Sequence, residues 1–369
     1  MTEPHTTTEP RRTTARPGGN ERHGRNEGQD GNEGQVRSEG REEGAPRARR
    51  YEVVVVGGGA AGLSGALTLA RARRSVLVID SGRPRNAPAS HIHNYLGREG
   101  TDPARLLALG REEATSYGAE ILAGEVVTAE RLPAGGGFRV VLADGTAVEA
   151  DRLLVTTGLV DELPSVRGLA ERWGRDVLHC PYCHGWEVRD QPVGVLATGP
   201  LAVHQALMWR QWSDDVTLFL HTGPHPTDEE YERLAARGVA VVEGEVVALE
   251  VTGDHLTGVT LAGGRVIPRT ALVAGPRFTA RADFLQGLGL DAADQEMAGE
   301  VIGATVPSDA SGATSVPGVW VAGNVTGMAE TVIGAAAAAV RAASALNADL
   351  IAEETDRAVA ERGALAPSA

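Results

Sequence analysis

Four consecutive valines, Val53 to Val56, run directly into Gly57-Gly-Gly-Ala-Ala-Gly62, and this junction leaves the chain little choice of fold. A short apolar run bounded by glycine reads as a buried strand, Leu63 to Arg73 as a helix, and Val76 to Ile79 as a second strand ending in Asp80. Strand, G-x-G-x-x-G, helix, strand and acid, in that order, form the dinucleotide-binding fingerprint in the context it requires. Gly57 makes the turn, Gly59 lets backbone approach a pyrophosphate, and Gly62 lets the helix pack on the strand. The first helical amides, at Ala60 and Ala61, face the phosphates, and Asp80 is placed to accept from a ribose hydroxyl. A parallel α/β sheet follows from such a unit.

The only two cysteines, Cys180 and Cys183, lie together in His179-Cys-Pro-Tyr-Cys-His-Gly-Trp-Glu187. A disulfide scaffold needs several pairs and a zinc ribbon a second pair further on, so one Cys-x-x-Cys reads as a redox-active dithiol. If Cys180 is a helix N-cap, Pro181 falls at N1, where its missing N–H is no loss. The free amides of that first turn then favour thiolate at Cys180, the attacking species. His184 follows and can exchange a proton near neutral pH. A metal site made of His179, Cys180, Cys183 and His184 is disfavoured, because ligands so close in sequence are hard to arrange as a tetrahedron. No metal is expected.

A chain of 369 residues allows two domains, each with its own core. Its net charge of −14 argues against nucleic acid and anionic membrane as partners. Lysine is absent, which excludes a lysine Schiff base and a Walker-type phosphate loop. Residues 1–50 are polar, with no apolar run for a secretory or spanning segment, and read as a disordered tail. The expected compartment is the cytoplasm, where a free dithiol is more often catalytic than structural.

After Asp80 comes a loop-like segment carrying Arg85, Asn86, His91 and His93. Its polar groups suit contact with a cofactor or substrate, and equally a solvated loop. A helix is expected from Asp102 to Tyr117, then strands over Glu125 to Thr128, Phe138 to Leu142 and Ala147 to Glu149, with turns at Gly135-Gly-Gly137 and Asp144-Gly145. Leu153-Leu-Val-Thr-Thr-Gly158 closes this unit as a buried strand.

Together with the fingerprint and the dithiol, Thr156-Thr-Gly158 and Gly318-Val-Trp-Val-Ala-Gly-Asn324 resemble the low-molecular-weight thioredoxin reductase superfamily of two-domain flavoproteins, from about Tyr51 to Leu350. The resemblance implies two Rossmann-like domains in an α/β fold. The FAD domain, residues 51–163 and 275–350, is split by an inserted NAD(P)-domain-like unit, residues 164–274, that carries the dithiol; a C-terminal tail covers 351–369. It further implies that FAD lies on the first fingerprint, that Arg85, Asn86, Thr157, Gly158, Gly323 and Asn324 complete its site, and that Cys183 faces the flavin. A homodimer is expected on the same ground.

The chain also departs from the reductase pattern. Its second fingerprint reads Val193-Gly-Val-Leu-Ala-Thr-Gly-Pro-Leu-Ala202, with Ala197 for the first glycine and Pro200 after Gly199. The next strand, Val216 to Leu220, ends in His221 where paired arginines would hold a 2′-phosphate. Both changes argue against NAD(P)H, leaving Arg210 as a substitute phosphate ligand. Asn324 stands for an aspartate, and Glu330-Thr331 for Arg-Gln. Trp209 and Trp212 read as a packing pair, whereas Trp173 and Trp186 flank the dithiol as candidate cleft walls. Within the superfamily three departures, Cys180-Pro-Tyr-Cys-His184 instead of a dithiol followed by Asp, Asp80-Ser-Gly-Arg-Pro-Arg-Asn86 after the first unit, and the eroded second nucleotide site, together resemble the FAD-dependent dithiol oxidases of disulfide natural-product biosynthesis, of the gliotoxin and holomycin type. The activity this implies is oxidation of a small-molecule dithiol, with attack at Cys180, electron transfer from Cys183 to FAD, His184 as proton acceptor and O2 as terminal acceptor. The alternatives are an NAD(P)H-driven disulfide reductase and a catalytically idle redox sensor.

Overall fold

The computed structural model describes residues 48–133 and 136–364. The tail expected over 1–50 thus lies, up to residue 47, outside the described residues, as does Gly135 of the glycine turn.

The chain opens with β1 (Arg49–Val56), α1 (Ala60–Arg71), β2 (Val76–Asp80), α2 (Pro103–Ser116), β3 (Glu120–Ala123), β4 (Val126–Arg131), β5 (Phe138–Leu142) and β6 (Ala147–Val155). These strands make most of a seven-stranded sheet in the order β3-β2-β1-β6-β5-β4. Its β1, β2, β3 and β6 run parallel, and β4 and β5 are an antiparallel extension. Because side chains alternate across a strand, Val53 and Val55 enter the core under α1, while Val54 and Val56 enter the core on the opposite face. Both faces are covered, which explains an unbroken valine run.

From β7 (Leu159–Glu162) the chain passes through α3 (Leu169–Arg172), β8 (Val177–Leu178), α4 (Pro181–His184), β9 (Val193–Leu196), α5 (Ala202–Trp209), β10 (Val216–Phe219), α6 (Asp228–Ala236) and β11 (Ala240–Val242). It continues through β12 (Val246–Thr252), β13 (His255–Leu261), β14 (Val266–Ile267) and β15 (Ala271–Ala274). A second, five-stranded parallel sheet has the order β11-β10-β9-β15-β8. The chain then returns along β16 (Arg277–Ala280), β17 (Ala293–Met297), β18 (Glu300–Thr305) and β19 (Val319–Val321), which pairs with β6 in the first sheet. Two Rossmann-like halves result, the first completed only after the second has been made.

The last helix, α7 (Val332–Ala364), is long and apolar enough to cross a membrane by length and composition alone. Ala335, Ala336, Ala339, Ala342, Ala343, Leu346 and Leu350 form one buried stripe at helical spacing, which packs on α1 within the core. The tail expected over 351–369 is corrected by this helix, which stays helical to Ala364. Arg152 anchors it through Asp349 at 2.6 Å and Glu353 at 2.5 Å, and Arg74 through Asn347 at 2.7 Å.

Candidate active site

Three separated stretches meet at the C-terminal ends of β1, β6 and β19. Gly57 turns with φ +106°, and a Cβ there would stand 2.6 Å from the Thr156 carbonyl oxygen. A Cβ on Gly62 would lie 1.8 Å from the Gly57 carbonyl oxygen, so α1 starts in contact with the turn. The Thr156 hydroxyl closes the junction by donating to the Gly57 carbonyl at 2.8 Å. On Gly323 a Cβ would come 3.0 Å from that of Ala61. Gly59, by contrast, meets nothing within 4 Å. It is also the N-cap of α1 and has no side chain to satisfy the first amides. An open backbone nest at a twelve-residue helix's N-terminus suits a pyrophosphate, so the residues fit the dinucleotide end of FAD.

Asp80 stands at the ribose position, but its carboxylate is already held. Oδ2 accepts from Arg111 Nη2 at 2.8 Å and Oδ1 from the Gly82 amide at 3.2 Å. Gly158 follows β6 with φ +71°, whereas the Thr157 hydroxyl donates to the Arg281 carbonyl at 2.6 Å. The Asn324 amide nitrogen donates to the carbonyls of Gly327 and Glu330, both at 3.1 Å, which leaves its oxygen to meet a ligand hydroxyl. Asn86 lies in the turn over 84–89, its carbonyl accepting from the Ala89 amide.

The dithiol sits on α4. Cys180 is its N-cap with extended φ and ψ, and Pro181 occupies N1. Both thiols are free and half-buried. The Cys183 thiol donates to Cys180 sulfur, and with the first-turn amides this holds Cys180 down at about 7. Cys183 is pushed up because it keeps the shared proton, and burial adds to the shift. Cys180 is therefore the thiolate of the reduced pair. His184, four residues after the N-cap, is lowered by burial, only partly offset by Glu187, and is neutral at physiological pH. It can accept a proton.

The long connection between β2 and α2 folds over this helix. Asn94, at φ +58°, donates its side-chain amide to the Tyr182 carbonyl. His93 reaches Glu99 through Nδ1 at 2.6 Å and Glu187 through Nε2 at 3.5 Å. The ring of Tyr182 stands edge-on to Trp212 at 5.5 Å, and both Tyr182 and Trp186 remain about two-thirds exposed, at 64% and 66%. The Trp186 ring carries the Arg189 guanidinium 4.1 Å from its centre. Trp173 packs with Val166, Leu169 and Leu249 in a core of the second half, which corrects its reading as a cleft wall. Trp209 is fully buried, as a packing residue should be.

A family model described as pyridine nucleotide-disulphide oxidoreductase matches residues 51–346, most of the chain. The chain belongs to that family. Its relatives include thioredoxin reductase sirT of Leptosphaeria maculans, 29% identical, with 80% of this chain and 93% of the relative covered. The chain spans about half the length of two other curated relatives. These are a probable thioredoxin reductase of Arthroderma benhamiae (34% identity, 49% of this chain, 46% of the relative) and thioredoxin reductase tcpT of Claviceps purpurea (36%, 46% and 54%). Among solved structures, HlmI is 46% identical with TM-score 0.78, covering 85% of this chain and 96% of its own. An oxidoreductase from Agrobacterium tumefaciens is 34% identical with TM-score 0.76, covering 82% and 99%.

In this member of the family the second half keeps a parallel sheet but carries a different turn at its end. Ala197 replaces the turning glycine, and a Cβ on Gly223 would lie 2.8 Å from both the Cβ and the carbonyl oxygen of Ala197. The turn after β10 therefore packs against the turn after β9. His221 faces inward, its Nδ1 accepting from the Val246 amide at 3.1 Å. Gly199 looks across at the Glu300 carboxylate, 3.7 Å from where its Cβ would be. Arg210, the candidate substitute for the missing arginines, lies beyond the C-terminal end of α5. There it donates to the carbonyls of Arg237 at 2.7 Å and Ser213 at 2.8 Å, and pairs with Asp214. It is a structural clamp at the far end of the sheet.

Proposed function

We propose that this oxidoreductase oxidises a small-molecule dithiol to its disulfide, with Cys180 and Cys183 as the relay, FAD in the first crevice and O2 as terminal acceptor. The observation that carries this reading is the contrast between a first crevice with the full glycine turn, where Gly59 meets nothing within 4 Å, and a second one in which Ala197 stands for the turning glycine and the Glu300 carboxylate lies across from Gly199. A disulfide reductase draws electrons from a pyridine nucleotide, and the second crevice has Ala197 in place of the turning glycine and His221 where paired arginines would hold a 2′-phosphate.

A substrate thiolate attacks Cys180 sulfur of the oxidised pair, forming a mixed disulfide with Cys180 and expelling Cys183 as thiolate, which then takes up a proton. The second substrate thiol then attacks its own sulfur in the mixed disulfide and releases Cys180, closing the substrate disulfide and leaving the relay as a dithiol. His184 takes the proton from the attacking thiol and passes it on past Glu187 and His93, which reach the surface at Glu99. Tyr182 and Trp186 offer apolar faces to the substrate scaffold beside Cys180. FAD, held by the Gly57–Gly62 turn and the N-terminus of α1, would supply a two-electron acceptor for the relay, with O2 taking the two electrons and two protons as hydrogen peroxide. Similarity to the gliotoxin- and holomycin-type oxidases supports the same direction.

Anaerobic mixing of the holoenzyme with dithiothreitol tests it. Flavin absorbance should bleach and recover on admitting air, with one peroxide per disulfide. A flavin that stays oxidised sinks the proposal, and rapid bleaching by micromolar NADPH would replace it with the reductase reading, which the retained second parallel sheet still accommodates.

A further inference from the structure

Arg85 is engaged in a way that cofactor binding does not require. Strands β7 and β16 pair antiparallel, with Asp161 directly opposite Phe278. Arg85 lies across this pair. Its Nε and Nη2 donate to the two oxygens of Asp161 at 2.8 and 2.6 Å, and its guanidinium stands 5.4 Å from the Phe278 ring centre. The same ring meets the His179 ring in an edge-to-face arrangement at 5.2 Å, and His179 immediately precedes Cys180. A fixed cation thus stands one aromatic ring away from the residue before the dithiol, held by a carboxylate that is only 8% exposed.

We propose that Arg85 is a positioning residue for the dithiol: its charge, set in place by Asp161 and Phe278, stabilises thiolate at Cys180 and at Cys183 as each sulfur leaves. The Arg85 field lowers both cysteines, and it also acts against protonation of His179, already lowered by burial. The other titratable groups around the pair are His184 and Glu187 on its own segment and His93 and Glu99 from the β2–α2 connection. Of these groups, Arg85 alone carries a permanent positive charge. The inference rests on the dithiol being the relay proposed above, but on neither its substrate nor its acceptor.

The test is the pH dependence of iodoacetamide alkylation at Cys180 in the reduced holoenzyme, with flavin absorbance recorded for each variant. In Arg85→Gln the midpoint should rise by about half a unit to one unit, slowing alkylation about three- to tenfold below it. Arg85→Lys keeps the charge and should stay close to the parent. Asp161→Asn removes the opposing charge but keeps an amide oxygen that can hold Arg85 over Phe278, so its midpoint should be unchanged or lower. The proposal is overturned if Arg85→Gln leaves the midpoint in place, if Arg85→Lys shifts it as far as Gln does, or if Asp161→Asn raises it too. Loss of flavin from Arg85→Gln with an unmoved midpoint would return Arg85 to the cofactor site. Alkylation needs neither a dithiol substrate nor O2, so failure of the oxidase reading leaves this test intact.

Discussion

At the first crevice a strand of buried valines ends in Gly57, α1 begins two residues after Gly58, and nothing within 4 Å covers Gly59. At the second, β9 ends against Ala197, Pro200 offers no amide, and α5 begins only at Ala202 after a Leu201 N-cap. The sheets beneath are built alike. Val193, Val195, Val216, Leu218 and Trp209 pack the second one whether or not a ligand lies at its end. The fold of a Rossmann half is therefore separable from its ligand site, because stability comes from the strands and ligand binding from a few backbone turns.

Substitutions at the two turns should break this comparison if it is wrong. The largest effect is expected from Gly62→Val, whose side chain would enter space held by the Gly57 carbonyl. Overpacking of about 3 kcal/mol or more should leave little folded, flavin-bearing protein, read by yield and visible absorbance. Next, Cys180→Ser should cut dithiol-driven oxygen uptake by about a thousandfold or more with the flavin spectrum unchanged. Gly59→Ala and Gly199→Ala make the sharper pair. Neither new methyl meets protein closer than 3.7 Å, so both should melt within about 1 kcal/mol of the parent. Only Gly59→Ala should weaken FAD retention on dialysis; equal flavin loss from Gly199→Ala would show the second crevice to be in use.

The smallest effect is a pH dependence of stability. His179, His184 and His221 are each lowered from 6.5 by burial, so the folded chain disfavours their charged forms. Below the ordinary histidine value the unfolded chain binds more protons, so their contribution is present above about pH 6.5 and is lost as pH falls through the folded values. The melting temperature should drop on going from pH 7.5 to 5.5, and less steeply in His184→Gln. A melting temperature that does not change over this range would contradict the burial of these rings.

Much of this was legible in the sequence because it is local. The valine run, the glycine turn and Asp80 follow one another within a single βαβ unit, and the Cys-Pro step alone places Cys180 at an N-cap. What could not be read depends on residues far apart. Arg85 looks like a loop arginine until the pairing of Asp161 with Phe278 gives it a seat, and that pairing forms only after the whole second half has been inserted. Trp173 and Trp186 flank the dithiol on either side in sequence, yet a β-bridge to Val177 turns the first into a core. Arg210 was misplaced for the same reason: helix spacing shows its face but not which end of the sheet it reaches. Glu300, from a hairpin in the returning segment, bears no motif at all.

The ladder of β7 and β16 has a mechanical side. Both passages of the chain between the two halves run through these neighbouring strands, cross-bonded from Leu159–Ala280 to Glu162–Arg277. β7 is the edge and β16 an inner strand of a four-stranded sheet that β18 and β17 complete. The dithiol half is thus tied at both of its ends to one small sheet rather than to two separate linkers. Since Asp161 and Phe278 are themselves rungs of that ladder, the cation's mount is built into the crossing.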